Sequence, residues 1–186
     1  MHEAARPAST EDLARLVVLA GAAVAELTST KGGAVWARRD ARQEPVDVSL
    51  AAALADDDQL VVVGTFDGFV LGYASTRLER LNDGGLLGVI DDVFVEPDGR
   101  GVGIGEAMLE VVLAWCRGRG CLGVDALALP GNRATKNFFE SFGLVARAIV
   151  VHRSLTEAPA GAPTGAPAGT GRSAGLSAPA APDGAR

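Results

Sequence analysis

Four glycines fall within seven residues in EPDGRGVGIGEAML, positions 96 to 109: Gly99, Gly101, Gly103 and Gly105. The stretch lies between a β-rich run ending at Val95 and an apolar helical pattern starting at Ile104. A strand, a glycine loop and a helix start form an anion site by geometry, because the unpaired N–H groups of the first turn and the positive end of the helix dipole point into the loop. Without a Cβ, glycine lets an oxyanion approach the main chain. The ligand expected here therefore carries phosphates. A Walker loop requires Gly-Lys-Ser/Thr at its end, and Gly105 is followed by Glu106. A dinucleotide fingerprint finds its first half in Gly101 and Gly103, but the third glycine comes one residue early. Asp125 stands roughly where a ribose-binding acid belongs, which keeps that alternative open. An antiparallel meander feeding the loop weighs against it.

Other chemistry-bearing residues are sparse. His2 and His152 stand alone, and Cys116 and Cys121, the only cysteines, are too close in sequence for a useful staple. They read as reduced thiols of a cytosolic protein, and no metal site is expected. LVVLAGAAVAEL, residues 16–27, imitates a signal peptide, yet Glu3, Glu11 and Asp12 against Arg6 and Arg15 do not make a basic leader. No run reaches the roughly 18 apolar residues of a membrane span.

The elements that must position the loop follow from periodicity. Leu13, Leu16, Val17, Ala20, Val24 and Leu27 recur at helical steps, with Ser9 and Asp12 placed as a capping box. A glycine-broken loop and a short helix near Val48–Ala55 come next. Gln59–Thr65 and Phe69–Arg77 are β-rich runs joined by Asp67-Gly68, a dipeptide suited to a type I′ turn, and Leu86–Val95 completes an antiparallel meander. Ile104, Met108, Val111, Val112 and Trp115 mark a helix ending at Gly118 or Gly120. Leu122–Leu129 reads as a parallel strand after a right-handed crossover, Asn132–Phe142 as a last helix and Val145–His152 as a last strand. The fold class is α/β: a mixed sheet, antiparallel in its N-terminal half, with a parallel crossover at the glycine loop and about four flanking helices.

From Glu157 onward the chain is almost wholly Ala, Pro, Gly, Ser and Thr, which reads as a disordered tail of residues 157–186 behind a folded domain of residues 1–156. The formal charge is −6 and the tail's own charges cancel, so the excess belongs to the domain. An acidic domain argues against nucleic acid and favours a cationic partner, with solubility as the plainer explanation.

Arg100-Gly101-Val102-Gly103-Ile104-Gly105 matches the Arg/Gln-x-x-Gly-x-Gly/Ala loop of the GNAT superfamily, the acyl-CoA-dependent N-acyltransferases. RPASTEDLARL resembles that family's first strand and helix, and IDDVFVEPDGRGVGIG its fourth strand and cofactor loop. GNRATKNFFESFGL resembles its last helix, with Asn132, Phe139, Glu140 and Gly143 at the family spacing; in all the resemblance spans about residues 4 to 152. It implies that acetyl-CoA lies where the fourth and fifth strands splay apart. The main chain of Val93, Phe94 and Val95 would hold the pantetheine, the amides of Gly101, Val102, Gly103, Ile104, Gly105 and Glu106 the pyrophosphate, and Asn132 the thiol arm.

The implied reaction is direct attack of a neutral amine on the thioester. An alkyl ammonium has a pKa of about 10.4, so its proton needs a receiver. Asp91 and Asp92 are the candidates; neighbours in a strand face opposite ways, so one of the two should look into the cleft. Asp91 is favoured as base or as anchor for a cationic acceptor, and Asp92 as a partner of Arg100 or a solvated edge residue. A main-chain N–H near Val93 or Phe94 would receive the oxyanion. The family's usual tyrosine acid is matched by Phe139, which packs but cannot donate; Ser141, Cys116 or a water are left as substitutes. Tyr73 is a core or substrate-wall residue, Trp36 an acceptor-pocket wall or packing anchor, and Arg133 and Lys136 face either CoA phosphates or solvent. The expected function is a cytoplasmic N-acetyltransferase acting on a small-molecule amine, with no nucleic-acid or membrane partner and with a homodimer left open. Protein acetylation and a non-catalytic acyl-CoA-binding module are the rivals. Pocket walls are expected from residues 28–47.

Overall fold

Ser9 and Asp12 form the expected capping box, the Ser9 N–H donating to Asp12 Oδ2 at 2.8 Å. The computed structural model describes residues 2–155. The box joins strand β1 (Glu3–Pro7) to helix α1 (Leu13–Thr28) through a single 3-10 turn. Arg6 grips the same carboxylate with two 2.8 Å bonds, NH1 to Oδ2 and NH2 to Oδ1, and holds the Asp12 pKa down at about 2. Asp12→Ala removes both contacts, and urea unfolding at pH 7 is expected to show a loss of about 1–2 kcal/mol. The folded-state pKa is depressed, so this contribution is present above about pH 4 and lost as pH falls through 2. The difference between variant and wild type closes over that window.

Helices α2 (Gly33–Arg39) and α3 (Val46–Ala55) lead to the meander of β2 (Gln59–Phe66), β3 (Phe69–Arg80) and β4 (Leu86–Val95). Asp67 and Gly68 both take positive φ, 47° and 85°, the signature of the type I′ turn their sequence suits. Helix α4 (Ile104–Gly118) crosses to β5 (Gly123–Ala126), which pairs parallel with β4, and α5 (Arg133–Ser141) follows. The sheet order is β1-β2-β3-β4-β5, antiparallel except for its last pair.

Alternation along β2 sends Val61 and Val63 to one face, where Leu16, Leu19 and Ala20 of α1 and Leu50 of α3 meet them, and Leu60 and Val62 to the other, under α4. Helix α4 comes very close. A Cβ on Gly64 would lie 2.5 Å from Ile104 Cγ2, and one on Gly88 2.6 Å from Cys116 Sγ. Each fully buried aliphatic side chain in these layers contributes about 1.5–3 kcal/mol by leaving water.

Three expectations need correction. The glycine-broken loop expected after α1 contains helix α2, which brings the flanking α-helices among the described residues to five. Strand β5 stops at Ala126 instead of Leu129. Val145–His152 forms no strand: no strand of the sheet pairs with it, and Val145, Ile149, Val150 and Val151 are 75–89% exposed. β-branched residues favour a strand only when a neighbour supplies the ladder and the packing. Residues 1–147 form one compact unit; residues 148–155, which belong to a second, carry no helix or strand. The tail read from Glu157 lies outside the described residues. Among the described residues no helix is long and apolar enough to cross a membrane.

Candidate active site

Strands β4 and β5 pair from Leu87 with Gly123 to Ile90 with Ala126, where β5 ends. Strand β4 runs on to Val95, so on the β5 side its edge from Asp91 to Val95 pairs with no strand among the described residues. Beyond Val95 the chain makes one 3-10 turn (Pro97–Gly99), then reaches Gly101 at φ 77° and Gly103 at φ 91°. L side chains rarely tolerate such angles, and here they turn the loop so that Gly103 caps α4. No side chain caps the helix; its first main-chain bond runs from the Ala107 N–H to Gly103 O at 2.9 Å, which leaves the earlier N–H groups for a ligand. A Cβ on Gly101 would meet no protein atom within 4 Å, so the loop's outer side is open. These features fit a diphosphate.

Helix α1 staples both ends of this loop. Arg15 donates to Val70 O (2.9 Å) and to Glu96 (2.6 Å), and Glu26 holds Arg100 at 2.7 Å. Arg100 also donates to Val95 O at 2.9 Å and lies over the Phe94 ring, 5.6 Å from its centroid. Its guanidinium is thus a clamp on the loop rather than a partner of Asp91 or Asp92, as the sequence reading allowed.

The aspartates sit on a β-bulge. Ser75 of β3 opposes Asp92 and Thr76 opposes Ile90, so Asp91 is the extra residue with nothing opposite. The bulge reverses the facing of the strand: Ile90 packs under α4, whereas Phe94, four residues on, packs under α1. Alternation therefore fails at this point, and both aspartates line the cleft instead of one. Their surroundings differ. Asp92 Oδ2 accepts from Arg42 Nη2 (2.7 Å), Arg42 Nε (3.1 Å) and Ser75 Oγ (2.9 Å), and both charged side chains are nearly buried, at 8% and 10% exposure. Asp91 has one 3.3 Å contact with Arg77 Nε, while Arg77 also reaches Glu79 at 3.0 Å. Burial in the cleft pushes the Asp91 carboxyl up from its ordinary value, with Arg77 opposing and the Asp92 charge adding to the rise.

Two cavities meet at this pair. A narrow one of about 70 Å³ is bounded by Leu27 of α1, Trp36 of α2, Val93, and Asn132, Thr135 and Phe139 at α5. A wider one of about 510 Å³ is bounded by residues 39–43, Ser49, Arg77, Val89 and Asp125. Trp36, Ile90, Asp91, Asp92 and Leu127 line both, so the two cavities lie side by side, the narrow and wide arms of a cleft with the bulge as their common wall.

The sequence profile of the acetyltransferase (GNAT) family matches residues 23–144. The chain belongs to this family. An aminoglycoside N(6')-acetyltransferase type 1 of Stenotrophomonas maltophilia is 34% identical over 77 residues, 39% of this chain and 50% of that protein. The chain thus matches about half the length of that relative. Among solved structures, AAC(6')-Iy in complex with the bisubstrate analogue CoA-S-monomethyl-acetylneamine superposes with a TM-score of 0.64 at 19% identity, covering 83% of this chain and 98% of that one. Glucosamine-6-phosphate N-acetyltransferase from Arabidopsis thaliana gives a TM-score of 0.60 at 20% identity over 84% and 100% of the two chains. At such identities the structures establish the fold alone.

Within this GNAT frame, the residues named from the sequence divide into those at the cleft and those away from it. Asn132 lines the narrow arm, but its Oδ1 accepts from the Thr135 N–H at 3.1 Å and so caps α5. Phe139 is 7% exposed and packs in the core beneath the same arm. Tyr73 is core: its ring joins the layer under α1, and burial, then the Asp92 charge, raises its pKa well above the usual phenol value. Ser141 donates to Phe138 O, and Cys116 is buried against Gly88 with its thiol pushed up to about 12. Neither lines either arm. Lys136 pairs with Glu140 along α5. Trp36, 6% exposed, walls both arms and packs as well. Arg42 falls in the stretch 28–47 expected to wall the pocket, but its pairing with Asp92 was not signalled by the sequence, and neither were Arg77, Thr135 and Leu127 as lining residues. The nearest hint was the pair of adjacent aspartates, one of which needed a counter-charge from elsewhere.

Proposed function

We propose that this GNAT protein is an N-acetyltransferase that moves an acetyl group from acetyl-CoA to a primary amine of a small molecule. The observation that carries the reading is the meeting of the narrow and wide arms at Asp91, beside the unpaired edge of β4. The main chain of Val93, Phe94 and Val95 holds the pantetheine arm, and the N–H groups from Gly101 to Glu106 hold the pyrophosphate. Bound there, acetyl-CoA supplies the acetyl group as a thioester. The wide arm takes the acceptor, and the aminoglycoside and aminosugar acetyltransferases named above make amino sugars the first acceptors to test.

The chain's own residues divide the work. Asp92 is taken up by its contacts with Arg42 and Ser75 and is not free for a substrate. Asp91, with one long contact to Arg77, receives the amine's proton. A main-chain N–H near Val93 or Phe94 on this edge would receive the charge that develops on the carbonyl oxygen. Cys116 is protonated at neutral pH and lies outside the cleft, which supports direct attack over an acyl-cysteine route. Thr135 lines the narrow arm one helical turn before Phe139, and its hydroxyl, or a water, would hydrogen-bond the departing thiolate, which then takes up a proton from water. Phe139 also favours one competing reading, an acyl-CoA-binding module without chemistry.

Incubation with acetyl-CoA and an amine panel that includes amino sugars and basic peptides, followed by thiol release, is the test. Turnover on a small amine at least tenfold above water supports the proposal. Coenzyme A binding with no turnover on any amine would leave the binding module in its place.

A further inference from the structure

Arg42 lies in the segment between α2 and α3 that borders the wide arm of the cleft. A guanidinium is among the side chains least often buried, yet this one is 8% exposed. Its three nitrogens are all engaged. Nε and Nη2 reach Asp92 Oδ2 at 3.1 and 2.7 Å, Nη2 reaches Ser75 Oγ at 2.6 Å, and Nη1 reaches Ser49 Oγ at 3.3 Å. One side chain therefore ties four places together: its own segment, helix α3, strand β3 and the bulge of β4. Ser75 Oγ donates in turn to Asp92 Oδ2 at 2.9 Å, and the buried Tyr73 hydroxyl also meets Asp92 and Arg42.

The consequence concerns the acceptor. Asp40, Ala41, Arg42 and Gln43 line only the wide arm, whereas the narrow arm is built by α1, Trp36 of α2, β4, the chain after β5 and α5. Without the tie, the 40–45 segment would have to be ordered each time an acceptor binds, a cost in lost freedom that weakens binding. The same tie fixes Asp92 immediately beside Asp91 and so sets how the bulge presents the Asp91 carboxylate. An ion pair this well buried is weak evidence for stability by itself, and a role in fixing one arrangement is the better-attested use of such pairs.

We propose that Arg42 is a positioning residue that fixes the acceptor arm of the cleft by bolting the 40–45 segment to the bulged strand through Asp92, Ser75 and Ser49. The proposal rests on the N-acetyltransferase reading for its kinetic consequence, but not for its structural one. Arg42→Met is expected to raise the acceptor KM at least tenfold while the KM for acetyl-CoA stays within twofold. Amide hydrogen exchange in residues 36–50 is expected to speed up at least tenfold, with α4 unchanged. Arg42→Lys keeps the charge but cannot make the forked contact, and should fall between wild type and Arg42→Met in both readouts.

Because Arg42→Met leaves Asp92 buried and unpaired, Arg42→Met combined with Asp92→Asn is the companion variant. It removes the stranded charge and restores folding, and its acceptor KM is expected to stay high. An acceptor KM within twofold of wild type in the double variant, or unchanged exchange in residues 36–50, would overturn the proposal. If wild type turns over no amine, the N-acetyltransferase reading fails, and the exchange measurement still decides whether Arg42 anchors the segment.

Discussion

Asp91→Asn lowers kcat by about 100-fold or more, the usual scale for loss of a positioned base, while coenzyme A binds within about twofold of wild type. The change is nearly isosteric and leaves Arg77 with Glu79 as its partner, so the fold should be little affected. The pH profile gives an independent check. Burial raises the Asp91 pKa, and the carboxyl must be ionised to accept a proton, so the acid limb of kcat/KM should lie higher than an exposed aspartate would place it. Rate climbs with pH through that limb in wild type and loses it in Asp91→Asn. Asp92→Asn separates the two acids. It strands the buried Arg42 guanidinium, and breaking such a pair costs about 3–5 kcal/mol, so its main effect appears in unfolding rather than as a shifted limb.

Gly103→Val has the second large effect, on the donor side. Gly103 sits at φ 91°, and a Cβ there would lie 3.1 Å from Glu3 Cγ. A β-branched residue cannot hold that conformation cheaply; a strain of about 2 kcal/mol that must be met to keep the loop in its binding form weakens coenzyme A about 30-fold. Acceptor KM at saturating acetyl-CoA should change little, because the wide arm is built from other elements. Gly101→Ala is the informative companion. Its Cβ meets no protein atom, so any loss of affinity beyond the milder backbone strain at φ 77° reports the approach of the ligand itself.

What could be read from the sequence, and what could not, follows from the range of the interactions. Gly101 and Gly103 were visible because positive φ selects one residue type, and α4 because its apolar residues recur over fifteen positions. The seven residues of α2 are too few for a period to emerge, and Gly32-Gly33 at its start reads as loop. The bulge leaves no trace in IDDVFV, since an unpaired residue is defined by the strand opposite, and Ser75 and Thr76 lie 17 and 14 residues before Asp92 and Ile90 that they oppose. Pairing of Arg42 with Asp92 bridges 50 positions, with two other arginines, Arg38 and Arg39, close by in the same segment. Val145–His152 failed in the other direction: its composition suits a strand, but composition does not create a partner.

The central claim is that bare main chain at the start of α4 and along the open edge of β4 forms one continuous seat for coenzyme A. Isothermal titration calorimetry of the wild-type protein with coenzyme A tests it most directly. Saturable one-to-one heat with a Kd below about 1 mM, the range in which enzymes usually hold their substrates, and a loss of that heat in Gly103→Val, is the predicted result. Absence of heat with wild type, or equal affinity in the two proteins, would contradict the account.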